Sequence, residues 1–148
     1  MVCRSSAWHS CMRFWCTACQ KTTMAEVNFP MPNDKHDVHC ATVLVTLGWE
    51  KVKPSMPQIL EWTQDMNRPV AKVFQPFLID AGAHLAPFLM PILAGNDDTW
   101  KYHVLADIVS QSPELAGALD AELNRLASCP TDGERIEGVS EQARDILA

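Results

Sequence analysis

From Asp34 nearly to the end of the chain, apolar residues recur with helical spacing, and turn-forming residues separate the stripes. Cys40, Val43, Leu44 and Leu47 stand at i, i+3, i+4 and i+7 and stop at Gly48, which predicts a first helix ending there. Pro54 and Pro57 open a second stripe of Ile59, Leu60, Trp62 and Met66; proline is tolerated early because the first amides of a helix lack intrahelical acceptors. A third stripe begins at Pro69 and has the cleanest period, Val70, Val73, Phe74, Phe77, Leu78 and Ala81, before Gly82. Leu85, Phe88, Leu89, Ile92 and Leu93 form a fourth that stops at Gly95. Asn96, Asp97 and Asp98 then cap a fifth, carrying Trp100, Val104, Leu105, Ile108 and Val109, because such side chains accept orphan amide hydrogens and complement the helix dipole. Pro113 starts a sixth with Leu115, Leu119, Leu123 and Leu126, and after a loop at 129–133 a last helix bears Ile136, Val139, Ala143, Ile146 and Leu147. No segment alternates with period two as a strand would. Pro76 and Pro91 lie inside two of these stripes and are expected to kink them.

The pattern predicts an all-α domain of six to seven helices over residues 34–148, preceded by a disordered or extended segment, 1–33. Residues 60–71 read as a helix end, a tight polar turn and a helix starting at proline, and 92–102 repeat that corner about thirty residues on. A period of that size marks stacked antiparallel helix pairs. Repeats of this kind specify a shape and not a reaction.

A chain of 148 residues is one domain's worth and buries roughly two thirds of its unfolded surface without a staple. No uninterrupted apolar run approaches the roughly twenty residues of a membrane span, so no membrane partner is expected. All eighteen acids but only nine of the twelve basic residues fall from Met24 onward, a formal charge of −9 that repels nucleic acid and anionic lipid.

Four of the six cysteines, Cys3, Cys11, Cys16 and Cys19, crowd the first nineteen residues. Cys16 and Cys19 form one CxxC knuckle, which with Cys3, His9 and Cys11 supplies enough soft ligands for zinc, yet a structural module carries two paired knuckles. The same segment is basic, serine-containing and free of acids, as mitochondrial targeting peptides are, but Trp8, Phe14 and Trp15 do not share a helical face. The preferred reading is an extension ahead of a start at Met24. Cys40 and Cys129 are expected to be free thiols in a reducing, cytoplasmic compartment.

The order of Met56-Pro57-Gln58-Ile59-Leu60, Asp65, Val70 and Gly82 resembles a HEAT or armadillo-type repeat. From about Asn33 to Leu147 the chain more closely resembles an uncharacterised family of short HEAT-like proteins, domain of unknown function 5071. Asn33 to Asp37, Lys53-Pro54, Leu60-Glu61-Trp62, Gln64 to Asn67, Pro69-Val70-Ala71, Asp97-Asp98, Trp100-Lys101-Tyr102 and Pro130-Thr131 carry that likeness. The resemblance implies a small right-handed helical solenoid without an established reaction, cofactor or catalytic residue. Arg68 stands where a tryptophan is expected before the proline, and Pro76 and Pro91 interrupt helices usually written without them.

Several clusters carry potential chemistry. His36, His39 and Cys40, with Asp34 and Asp37 beside them, fall on one helical face and could ligate a metal; the plainer reading is a cap, solvated histidines and a core cysteine. Asp97 and Asp98 diverge in direction, so capping explains them better than acid–base work. Lys101, Tyr102 and His103 are expected on a solvated face. No phosphate loop, nucleophile elbow or zinc-protease motif occurs. The function expected is therefore non-enzymatic: an acidic, curved helical surface that binds a protein without cofactor, metal or nucleic acid, as an adaptor or immunity-type binder. Its surface residues are Trp62, Asp65, Asn67, Asp97, Asp98, Trp100 and Tyr102, all close to the two corners and including the aromatic types that anchor interfaces. The alternatives are a nucleic-acid-acting enzyme on a helical-repeat fold, or a metal-dependent protein using His36, His39 and Cys40.

Overall fold

The computed structural model describes residues 29–148, and among them every regular element is helical. Asp37 caps α1 (Val38–Leu47) by accepting the Cys40 amide at 3.2 Å, and Gly48 ends it at φ 83°, a conformation glycine adopts at no steric cost. The chain is helical again at once through α2 (Trp49–Val52), a 3₁₀ turn (Lys53–Ser55), α3 (Met56–Glu61) and a 3₁₀ turn (Trp62–Gln64). The second helix therefore begins at Trp49, ahead of the expected Pro54. Pro54 falls within the first 3₁₀ turn, where the missing amide interrupts the α ladder.

α4 (Pro69–Ala81) starts on Pro69 with Arg68 extended before it, the conformation that a following proline favours. Gly82 leads through a 3₁₀ turn (Gly82–Leu85) into α5 (Ala86–Leu93). Together they make a 25-residue helical stretch, Pro69–Leu93, which by length and composition is long and apolar enough to cross a bilayer. Lys72, Asp80 and His84 interrupt its apolar runs without making the stretch polar on average, which is why no uninterrupted run of that length appears in the sequence. Val70, Phe74, Leu78, Leu85, Leu89 and Leu93 of this stretch are fully buried in the core. α4 runs on through Pro76 and α5 through Pro91, so the carbonyls of Lys72 and Pro87 lose the amide donor four residues later.

The C-terminal part holds α6 (Asp98–Asp107), a 3₁₀ turn (Val109–Gln111), α7 (Pro113–Ala118), α8 (Asp120–Ser128), α9 (Asp132–Ile136) and α10 (Val139–Leu147). The expected sixth helix is thus split at Leu119, and the last at Gly138, whose φ of 79° ends α9. One core runs from Ala41 to Ala143. α1 packs on α4, the Trp62–Gln64 turn on α6, α7 on the Gly82–Leu85 turn, and α10 on both α6 and α8. Gln75 of α4 also donates to the Asp107 carbonyl at the end of α6, at 2.9 Å. Packing reaches back to Phe29 and Met31, which lie against this core.

Three apolar residues expected inside are exposed, Ile136, Val43 and Leu147. Ile136 is 82% exposed and Val43 46% exposed. In α9 the inward position belongs to Glu134, and a residue two further along points about 200° away. In α1 the inward residues are Ala41 and Leu44, which leaves Val43 off their face. Lys101, expected in solvent, is buried. The zinc and targeting readings of residues 1–23 fall outside the described residues.

Candidate functional site

The first turn of α6 is tied to three other parts of the chain. Asp97 caps it, accepting the Trp100 amide at 2.9 Å. The Trp100 indole N–H donates to Thr63 Oγ1 at 2.9 Å, and buried Thr63 donates in turn to the Leu60 carbonyl at 2.6 Å. The two corners read from the sequence are therefore joined directly, by a side chain from each. Thr99 Oγ1 donates to Glu137 at 3.2 Å, and Lys101 reaches α9.

Lys101 Nζ lies 2.8 Å from Asp98 Oδ1 and 2.8 Å from Glu134 Oε1. Arg125 Nη2 sits 3.0 Å from Glu134 and 2.8 Å from Glu122, while Glu134 Oε2 accepts the Thr131 amide at 2.7 Å. Thr131 Oγ1 in turn accepts the Glu134 amide hydrogen and closes a capping box that starts α9. Three carboxylates thus meet two cations, and no buried side-chain polar atom among the described residues is left without a partner. Burial alone would raise the Glu134 carboxyl; hydrogen bonds from Arg125, Lys101 and the Thr131 amide outweigh it and hold the group at about 2. Burial would likewise lower the Lys101 ammonium, and its bonds to Asp98 and Glu134 raise it instead. The Arg125 guanidinium is raised, chiefly by Glu122 and then by Glu134. Gly133 belongs to the same assembly, because a Cβ there would collide with Asp98 Oδ2.

The seven expected surface residues divide. Trp62 and Trp100 are half-buried, on elements that pack together. Asp65 stabilises its own turn: Oδ1 accepts the Asn67 amide at 3.0 Å and Oδ2 faces Arg68 Nε at 3.5 Å. The Asn67 bond, then Arg68, hold its carboxyl below the usual range. Asn67 and Asp97 are exposed. Asp98 turns inward to Lys101 and Gly133, and Tyr102 lies away from the tryptophans, its ring beside Gly138.

Two hollows flank the tryptophans and share Glu61. One is lined by Phe29, Pro30, Met31, Pro32, Gln58, Glu61 and Trp62. The other is an apolar groove of about 300 Å³ lined by Pro57, Leu60, Glu61, Pro87, Phe88, Pro91, Ile92 and Trp100. Trp49 supports Phe88 from behind, with ring centroids 6.0 Å apart and nearly perpendicular. Sequence reasoning missed this groove, although three prolines in two neighbouring helices were its visible signal. It also missed Glu122, Arg125 and Glu134, for which Thr131-x-x-Glu134 is the capping-box signature.

Around α1, Asp34 accepts the His36 amide at 2.6 Å and Asp37 the Cys40 amide, so these carboxylates serve the backbone. The Cys40 thiol donates to the Pro30 carbonyl at 3.2 Å, and burial, then Asp37, push its pKa up. Among the described residues no three His, Cys, Asp or Glu side chains are arranged to hold a metal ion. A family model described as "Domain of unknown function (DUF5071)" matches residues 30–147. No curated protein matches the chain.

Proposed function

The chain belongs to the DUF5071 family, and from that premise we propose that it is a non-enzymatic protein-binding module, a short HEAT-like superhelix with an acidic exterior that works in the cytoplasm. The pairing of α1 with α4 and of α6 with α10, with two similar corners in contact, supports the HEAT-like reading. The observation that carries the binding reading is the groove beside those corners. Pro57, Pro87 and Pro91 are exposed along it, and Phe88 and Trp100 are half-buried. Rigid, apolar, already ordered side chains are the kind that lose least on binding. The charge of −9 from Met24 onward directs encounter toward a basic or mixed partner.

Affinity capture from native lysate tests this, comparing the wild type with a Pro87→Ser/Pro91→Ser variant. Both prolines are exposed, and serine at 91 returns an amide to α5, so the variant is expected to fold. A specific protein recovered by the wild type and lost by the variant supports the reading; identical recovery by both forms refutes it. Asp98 is unsuitable for such a test because its substitution would remove one of the two carboxylates that buried Lys101 faces.

A further inference from the structure

The groove between α3 and α5 is apolar along its walls, and its polar members are acceptors. Glu61 is exposed, and among the described residues no ion pair includes it. Pro91 has no amide hydrogen, so the carbonyl of Pro87, a residue of the same groove wall, lacks the donor that an ordinary helix would supply. The complementary ligand has an apolar or flat body and a head that only donates. Arginine fits best: its guanidinium carries five donors and no acceptor, and its planar face stacks on aromatic rings such as those of Phe88 and Trp100.

Resting on the protein-binding reading above, we infer that this groove receives an arginine side chain from a segment of a basic partner protein. The guanidinium pairs with Glu61 and the Pro87 carbonyl, and its stem crosses the apolar wall. The adjoining hollow shares Glu61 with the groove and is walled in part by the chain's own non-helical Phe29–Pro32 stretch. A segment lying beside that stretch continues an existing packing surface, and its positive charge complements both Glu61 and the acidic body.

The test titrates the ¹⁵N-labelled full chain with a twelve-residue synthetic peptide carrying one central arginine between prolines, and with its citrulline twin, which keeps the shape and removes the charge. Saturable shifts at Glu61, Phe88 and the Trp100 indole are expected, with the citrulline peptide about tenfold weaker or more. Glu61→Gln should bring the two peptides close to equal affinity. Pro91→Ala returns an amide to the residue-87 carbonyl, so it should weaken the arginine peptide a few-fold while raising Tm, a combination that general loosening would not produce. Equal affinity of the twins for the wild type, shifts centred elsewhere, or no saturation at millimolar peptide would overturn the inference. If the capture experiment still separates wild type from the serine variant, the arginine site fails alone; if capture also fails, the binding reading fails with it.

Discussion

Glu134→Gln removes the charge at the centre of the buried cluster and keeps the side-chain volume. The carboxylate is 1% exposed and faces Lys101, itself 4% exposed, at 2.8 Å. Deleting one member of a buried ion pair costs about 3–5 kcal/mol; because Asp98 still faces Lys101 and Glu122 still faces Arg125, the lower end applies, about 3 kcal/mol. Linkage gives the same size. The carboxyl is held at about 2 against an ordinary 4.5, and at about 1.36 kcal/mol per unit the difference amounts to about 3 kcal/mol. A depressed folded pKa means that the unfolded chain takes up the proton first as pH falls. The stabilisation is therefore whole above about pH 4.5, less than about half remains at pH 3, and it is gone below about pH 2. Urea unfolding at pH 7 should show a midpoint lowered by about 1–3 M for a typical m-value, and the gap from wild type should close through that acidic window. A cost below about 1 kcal/mol at pH 7, or a gap unchanged between pH 6 and pH 3, would refute the assignment of this cluster as the clamp on α9. Asp132→Asn is the control, since its carboxylate is 94% exposed beside Arg135 and the midpoint should not move.

Trp100→Phe keeps an aromatic ring but removes the indole donor to buried Thr63, and should lower stability by about 1 kcal/mol in thermal unfolding. Gly133→Ala places a methyl against Asp98 Oδ2 and should cost about 1–3 kcal/mol, a loss that Asp98→Ala in the same background does not simply add to. Ile136→Ser should stay within about 0.5 kcal/mol of the wild type, because that side chain is 82% exposed; a loss of core-substitution size would mean that Ile136 is packed.

The helices were legible wherever period and punctuation agreed. Pro69, Gly82 and the Asp97 cap stand where the apolar stripe and the stop signals placed them, and Val70, Phe74 and Leu78 are buried as their spacing requires. Legibility failed where a short helix buries a polar residue. Glu134 occupies the inward position of the five-residue α9, so an apolar-only count chose Ile136, two residues out of phase. Helix positions between the core residues Trp100 and Val104 predict a solvated Lys101, whose partner Glu134 lies thirty-three residues away, where no local pattern connects them. The groove was hidden for another reason. Its walls come from α3 and α5 and its end from α6, pieces that tertiary packing and the hydrogen bond between Trp100 and Thr63 make neighbours.

Buried ion pairs often contribute no more stability than well-packed apolar residues of similar volume, so stability alone does not account for ions in this position. Orientation does. A five-residue helix such as α9 has too few internal bonds to hold itself and would accept several rotations against a purely apolar floor. With Glu134 bound by Lys101, Arg125 and the Thr131 amide, only one rotation satisfies every donor. The same rotation brings Glu137 to Thr99 and Gly133 beneath Asp98, which fixes the first turn of α6 from the side opposite Thr63. Trp100 is held between these constraints, one residue from Lys101, with its indole nitrogen committed to the other corner. The groove's aromatic end is therefore ordered in the free protein, and in the proposed binding the buried charges would act by restricting where Trp100 can point rather than by touching a ligand.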